Sequence, residues 1–199
     1  MKNVRREVLG VRRNGLLFLI VGLIIAPGFS RAESLDSRWY HQIHDRWHSS
    51  ALDPVMKDAT RAGDATVGIA ACLAVETFGK KREKDSSKLA VVALGGSGLV
   101  TEALKGMVNR PRPDGNQSGR WDSSFPSGHA TGAFALATVM AARYRKLAVP
   151  AYLGATIIGL SRIYLGRHYP SDVATGAAIG MASGILVIKF QGPILRFEL

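Results

Sequence analysis

Apolar residues in this chain fall into blocks parted by short polar connections. The first is a run from Leu16 to Phe29, interrupted by Pro27. Five Gly- and Ala-rich segments follow, at about Ala65 to Gly79, Leu89 to Leu104, Ala130 to Ala142, Leu147 to Leu165 and Val173 to Ile188. All lie near the lower limit of the roughly 20 apolar residues that carry a helix across a bilayer. The pattern predicts an all-α fold, a polytopic membrane bundle of about six helices. Gly176, Gly180 and Gly184 recur at every fourth position of the last segment, and Gly128 and Gly132 share that spacing near the fourth. Small residues so placed line one helix face and let backbones approach closely in lipid.

The first run has two readings. Ser30 and Ala32 form a small-x-small cleavage pattern behind a short apolar stretch, which describes a signal peptide. Retained, the same run is a first membrane helix. Residues 1–32 are therefore read as signal or first span, and 33–199 as the helical domain. Arg12 and Arg13 lack the surrounding context of a twin-arginine signal. The stretch from Glu33 to Asp64 is mixed in character, with Trp39, Tyr40 and Trp47 among charges of both signs. It reads as an amphipathic segment lying at the membrane surface, where indoles sit well. His41, His44 and His48 can share a helical face there. Without a cysteine or carboxylate at diagnostic spacing they are interfacial polar residues before they are a metal site.

Charge decides how the bundle is oriented. The 199 residues carry 26 Lys plus Arg against 15 Asp plus Glu, a net charge of +11. Such a balance fits a nucleic-acid binder, but these cations cluster between apolar stretches and do not line one amphipathic face, so no nucleic-acid partner is expected. A mean hydropathy of +0.08 is low for a polytopic protein. The clustering answers that objection. Lys80, Lys81, Arg82, Lys84 and Lys88 fill one connection and Arg143, Arg145 and Lys146 another; with the two termini they make fifteen basic residues against Glu7, Glu83, Asp85 and Glu198. If six helices alternate in direction, all four clusters fall on one side, which the positive-inside rule makes cytoplasmic. The connections at about 31–63, 105–128 and 165–171 then face outward. One cysteine, Cys72, excludes an internal disulfide and a cysteine-based metal centre.

The outward connections hold the chemistry. Lys105 is followed by Arg112 and Pro113, then comes Pro126-Ser127-Gly128-His129, then Ser161-Arg162 with His168 and Asp172 beyond. Three cations, two histidines and a carboxylate in an apolar region suit phosphoryl transfer through a histidine. The transferred group needs positive charge on its equatorial oxygens, an in-line nucleophile and a proton donor for the leaving oxygen. Ser127 and Gly128 stand at a predicted helix start, where free N–H groups favour a phosphate. Lys105 has an ordinary reading as a membrane-edge residue paired with Glu102. Arg162, inside an apolar segment, requires an anionic partner. Arg110 and Arg167 read as rim charges or lipid-headgroup contacts.

At every defining position these strings resemble the three-part signature of the type 2 phosphatidic acid phosphatase superfamily, which includes bacterial acid phosphatases and vanadium haloperoxidases. The resemblance implies His168 as nucleophile, forming a phosphohistidine, and Asp172 as acceptor of its other ring N–H. It implies His129 as general acid and then base, with Lys105, Arg112, Ser127, Gly128 and Arg162 binding phosphate. No metal or other cofactor is implied. The wording from Ser124 to Gly132 and from Gly166 to Val173 is similar to the membrane branch. Expected, then, is a phosphatase of the bacterial inner membrane with its site facing the periplasm or exterior. Its substrate would be a lipid phosphate or diphosphate: phosphatidic acid, phosphatidylglycerophosphate, undecaprenyl diphosphate or lipid A. Alternatives are a secreted acid phosphatase, a lipid phosphotransferase and a non-enzymatic bundle that binds headgroups.

Overall fold

Helix follows helix from Phe29 onward in a computed structural model that describes residues 29–116, 119 and 121–196, with no strand among them. The elements are α1 (Phe29–His44), α2 (Leu52–Ala62), α3 (Ala65–Phe78), α4 (Lys81–Val108), α5 (Gly128–Arg143), a short 3-10 turn (Arg145–Leu147), α6 (Ala148–Tyr164), α7 (Pro170–Lys189) and α8 (Gln191–Arg196). The first apolar run, and with it the choice between signal and span, lies outside the described residues save for Phe29. The chain divides into a stretch from Met1 to Leu35 and a unit from Asp36 to Leu199.

Each of the five later apolar segments forms a helix, α3 to α7. The structure has eight α-helices among the described residues where about six were expected. Five of the eight are the later apolar segments, α1 and α2 come from the amphipathic stretch before Asp64 and α8 is a C-terminal turn; the sixth expected helix, the first apolar run, lies outside the described residues. In α1, Asp36, Tyr40 and Ile43 are buried at helical spacing while Trp39 stays 61% exposed. That is a helix with one face on protein and one open.

The helix boundaries have local causes. Asp64 caps α3 by accepting the Thr66 N–H at 2.9 Å. The Glu83 carboxylate accepts the Lys80 N–H at 2.7 Å at the start of α4. Asn109 ends α4 in the left-handed conformation, φ 47°, its N–H donating to the Lys105 carbonyl at 3.1 Å. Pro170 occupies the first turn of α7, where a missing N–H costs nothing.

Helix α5 is the hub, packed against α4, α6 and α7. Its contact with α7 is the glycine seam. A Cβ at Gly180 would run into the Thr131 carbonyl, one at Gly184 would stand 2.6 Å from Thr138 Cβ, and one at Gly176 2.5 Å from the Ser127 carbonyl. The threefold glycine repeat therefore buys backbone proximity between these two helices. Gly132 behaves differently, since a Cβ there would meet only Leu94 at an ordinary 3.4 Å.

Helix α4, the 3-10 turn joined to α6, and α7 are each long and apolar enough to cross a membrane, while α3 is shorter. Their outer faces are hydrocarbon: Leu99 is 77% exposed and Val149 70%. In water such a surface would be a liability; in a bilayer it is solvated. At one end of the bundle, the Arg82 guanidinium donates to the Arg143 carbonyl at 2.7 Å, and Arg143 donates to Ser86 at 3.0 Å and to Gln191 at 3.3 Å. The basic connections of α3–α4 and α5–α6 thus share an end with the start of α8. The loops bearing Arg112, Ser127 and His168 lie at the other ends of the same helices.

Candidate active site

His168 lies in the turn between α6 and α7. Gly166, at φ 73°, permits the reversal, and the Arg167 and His168 N–H groups both donate to the Arg162 carbonyl, at 2.9 and 3.2 Å. The imidazole is 2% exposed. Its Nδ1 is 2.6 Å from the Ser124 carbonyl oxygen. A carbonyl only accepts, so Nδ1 carries the hydrogen and Nε2 keeps its lone pair. Burial pushes the imidazole below its usual pKa, against the pull of Asp172.

The expectation that Asp172 accepts the ring N–H is corrected here. Its nearer oxygen is 3.8 Å from Nδ1. Asp172 instead accepts the Tyr169 N–H at 2.8 Å, capping α7, and the Arg110 guanidinium at 2.7 Å. A residue in the first turn of a helix is drawn to the free N–H groups there, and the loop through Ser124 delivers a carbonyl to the histidine first. Any residue type supplies a carbonyl, so no sequence signal marks Ser124.

The three cations reach the site by different routes. Arg112 is clamped by Asp122, at 3.1 Å from Nε and 2.6 Å from Nη2, and its Nη1 lies 3.4 Å from His168 Nε2. Asp122 was not singled out by the sequence; only its pairing with Arg112 marks it. Arg162 donates from Nη1 to Thr60 Oγ1 at 2.5 Å, while its Nε is buried with no hydrogen-bond partner among the described residues. Lys105 keeps its pairing with Glu102 at 2.8 Å, and its ammonium also lies 3.9 Å from where a Cβ on Gly128 would stand. The lysine therefore reaches the start of α5 without leaving its helix partner.

Ser127 is fully buried and caps α5 through its hydroxyl, 3.5 Å from the Ala130 nitrogen; its own N–H donates to the Asp172 carbonyl at 3.0 Å. Gly128 leaves open the space that a side chain would fill beside Lys105. His129 faces the turn between α2 and α3, its Cδ2 3.4 Å from the position of a Gly63 Cβ. Arg162, Asp64, His168 and Lys105 all act on it electrostatically. Asp64 itself is held below the usual carboxylate range, first by the Thr66 hydroxyl and N–H and then by His129 and Arg162.

Of the two flanking arginines, Arg167 is a rim charge, 45% exposed and paired with Asp114 at 2.9 Å. Arg110 is not. Its side chain is 16% exposed and bonded to Asp172 and Asp36, at 2.7 and 2.8 Å. The histidines of the first segment do not converge on a metal position. His44 binds the Tyr164 carbonyl at 2.7 Å and His48 stacks on the Tyr164 ring with centroids 4.7 Å apart. Both tie that segment to the end of α6.

An apolar cavity of about 240 Å³ lies between α3, α5 and α6; its lining reaches Gly63, the neighbour of the His129 ring, but does not include His129 itself. Gly63 and Asp64 stand at one end and Met140 at the other, with Gly68, Gly132, Ala137 and Gly154 along it. Its width comes from these small side chains.

The PAP2 superfamily model matches residues 87–195. Undecaprenyl-diphosphatase BcrC of Bacillus subtilis is 32% identical over 157 residues, covering 75% of this chain and 80% of that protein. Lipid A 1-phosphatase of Porphyromonas gingivalis is 38% identical over 65% of this chain but only 30% of its own length. Among solved structures, a transmembrane PAP2-type phosphatidylglycerolphosphate phosphatase from Bacillus subtilis superposes with a TM-score of 0.75 at 25% identity, covering 92% of this chain and 98% of that one. The family match takes in α5 to α7 and α4 from Ser87 onward, the helices that bring His168, His129 and the three cations to one end of the bundle, and the chain is a member of the PAP2 superfamily.

Proposed function

We propose that this chain is a membrane phosphatase that removes the terminal phosphate of a lipid phosphate or diphosphate through a phosphohistidine at His168. The observation that carries the reading is the state of that imidazole: Nδ1–H held by the Ser124 carbonyl at 2.6 Å, and Nε2 facing Arg112 at 3.4 Å. In the first step the Nε2 lone pair attacks phosphorus, the bond from phosphorus to the lipid oxygen breaks, and His129 gives that oxygen a proton. In the second, His129 takes a proton from water as the water oxygen attacks phosphorus, and the Nε2–P bond breaks to release phosphate. Lys105, Arg112, Arg162 and the start of α5 bear the charge on the equatorial oxygens. Protein cations thereby take the part that a divalent ion has in metal-dependent phosphatases.

The lipid part of the reading rests on the named activities of the relatives, BcrC and lipid A 1-phosphatase among them, and on the apolar cavity that reaches Gly63, where a hydrocarbon chain fits. Phosphate release by the detergent-purified chain should favour lipid phosphates and diphosphates over a small soluble ester; the opposite preference would replace this reading with a general acid phosphatase. A Cβ at Gly154 meets open space, so a larger side chain there can enter the cavity without displacing protein atoms. Gly154→Leu is expected to raise KM for a long-chain lipid phosphate about tenfold more than for a short-chain one, the scale of one lost apolar contact. An equal effect on both would place the chain elsewhere.

We place residues 33–199 as the functional unit in a bacterial inner membrane, with the basic end cytoplasmic and the His168 end periplasmic, on the positive-inside rule. In intact spheroplasts, a membrane-impermeant thiol reagent should label a cysteine introduced at Gly115 and spare one introduced at Lys84. The reverse pattern would invert the orientation.

A further inference from the structure

Asp36 and Arg110 lie outside the three signature strings, and Asp36 precedes the family-model match at residues 87–195. Asp36 is nevertheless buried, and Arg110 largely so, behind His168. The Asp36 carboxylate accepts from the Ser171 N–H at 2.8 Å, the Ser171 hydroxyl at 2.5 Å and Arg110 Nη2 at 2.8 Å. Arg110 Nη1 donates to Ser171 Oγ and to Asp172 Oδ1, both at 2.7 Å, and its guanidinium lies 4.1 Å above the centre of the Tyr169 ring. The backbone of Arg110 completes the frame. Its N–H donates to Ser123 Oγ at 2.8 Å, and its carbonyl accepts the Ser124 N–H at 2.8 Å. Ser124 is the residue whose carbonyl holds His168 Nδ1. One arginine therefore braces both sides of the imidazole: the loop that carries its hydrogen-bond acceptor, and the residues at 169, 171 and 172 that follow it.

We propose that Arg110, anchored by Asp36 from α1, is a positioning residue for His168: it holds the ring's acceptor loop in register and cancels the charge of Asp172 beside a histidine that must stay neutral to attack. The proposal rests on the reading of His168 as nucleophile. The groups that act on the imidazole are Asp172 from α7, Arg162 from α6, Arg112 from the α4–α5 loop and His129 from α5. Asp172 is the anion among them, it is fully buried, and Arg110 is its ion-pair partner. An unpaired buried carboxylate 3.8 Å from Nδ1 would favour the imidazolium, which has no lone pair on Nε2.

The test compares Arg110→Gln, Arg110→Lys, Asp36→Asn and His168→Ala with the wild type. Phosphate release is followed across pH from phosphatidic acid and a polyprenyl diphosphate in detergent micelles, and folding is checked by thermal melting. For Arg110→Gln, kcat should fall about tenfold or more with KM changed less than about threefold, as expected when a reacting group is misplaced and binding is not. The acid limb of its profile should move to higher pH. Arg110→Lys keeps the charge without the fork and should leave the limb in place while losing part of kcat. Asp36→Asn should lower kcat with little change in KM. An acid limb that stays put in Arg110→Gln, or moves as far in Arg110→Lys, would reduce the network to a structural brace and overturn the proposal. Turnover retained by His168→Ala would overturn the nucleophile reading, and the positioning role with it.

Discussion

His168→Ala is expected to lower turnover by about 10⁴-fold or more, the loss typical of removing a catalytic nucleophile that works as a unit with its partners. The size follows from the geometry. Nε2 bears the ring's lone pair and faces Arg112, and the ring is nine-tenths or more enclosed, so bulk water cannot simply take its place. The variant keeps the cations, so substrate binding should survive and the loss should fall on kcat. A rapid-quench experiment with phosphate-labelled substrate provides the positive side: wild type should accumulate an acid-labile, base-stable phosphoenzyme, and His168→Ala none. Because burial holds the imidazole below its usual pKa, the neutral ring prevails at neutral pH, and on the acid side activity should fall as acid protonates it. Label recovered on another residue, or residual turnover above about 1% against the loss expected for a nucleophile, would remove His168 from its role.

Arg162→Ala should cost about 10²- to 10³-fold in kcat, the scale of losing one preorganised group on developing negative charge. Arg167→Ala should change kcat less than about threefold, since exposed pairs contribute little. The contrast comes from their surroundings. Arg167 reaches solvent and Asp114, whereas Arg162 donates to Thr60 and has a buried Nε with no hydrogen-bond partner among the described residues. A buried, unpaired guanidinium Nε costs folding energy that an anionic ligand recovers. Arg162→Ala should therefore melt no earlier than wild type in the absence of phosphate, and phosphate or vanadate should raise the melting temperature of wild type more than that of the variant. Arg162→Lys recovers only part of kcat, because a point charge does not reproduce a planar fork. Equal losses at 162 and 167 would dissolve the clamp.

What the sequence showed and what it missed divide along a physical line. The apolar blocks became α3 to α7 with bounds shifted by a few residues, except that α4 begins eight residues before Leu89, at Lys81. Its first turns are charged, and hydrophobic pattern does not report a helix that extends past the apolar layer. The split of the stretch before Asp64 into α1 and α2 was hidden for a similar reason, because an amphipathic surface segment has no apolar block to delimit it.

At the site the same distinction holds. The signature residues are side chains whose types announce their chemistry, and their resemblance to the family signature named His168, His129, Asp172, Lys105, Arg112 and Arg162 as candidates. Partnerships were not legible. Ser124 acts through its carbonyl, which every residue has; Asp36 is 136 positions from Asp172, and only the fold brings both to Arg110. By itself the sequence determined an all-helical membrane chain, the clustering of its basic connections and the residue types available for phosphoryl transfer, because these depend on hydrophobic run length, charge placement and side-chain chemistry. The tertiary structure alone decided that Ser124 and not Asp172 holds the His168 ring, that Arg110 packs largely buried behind it, and that Arg162 Nε has no partner among the described residues. Each of these is a question of which groups meet across helices distant in the chain, and no local pattern encodes that.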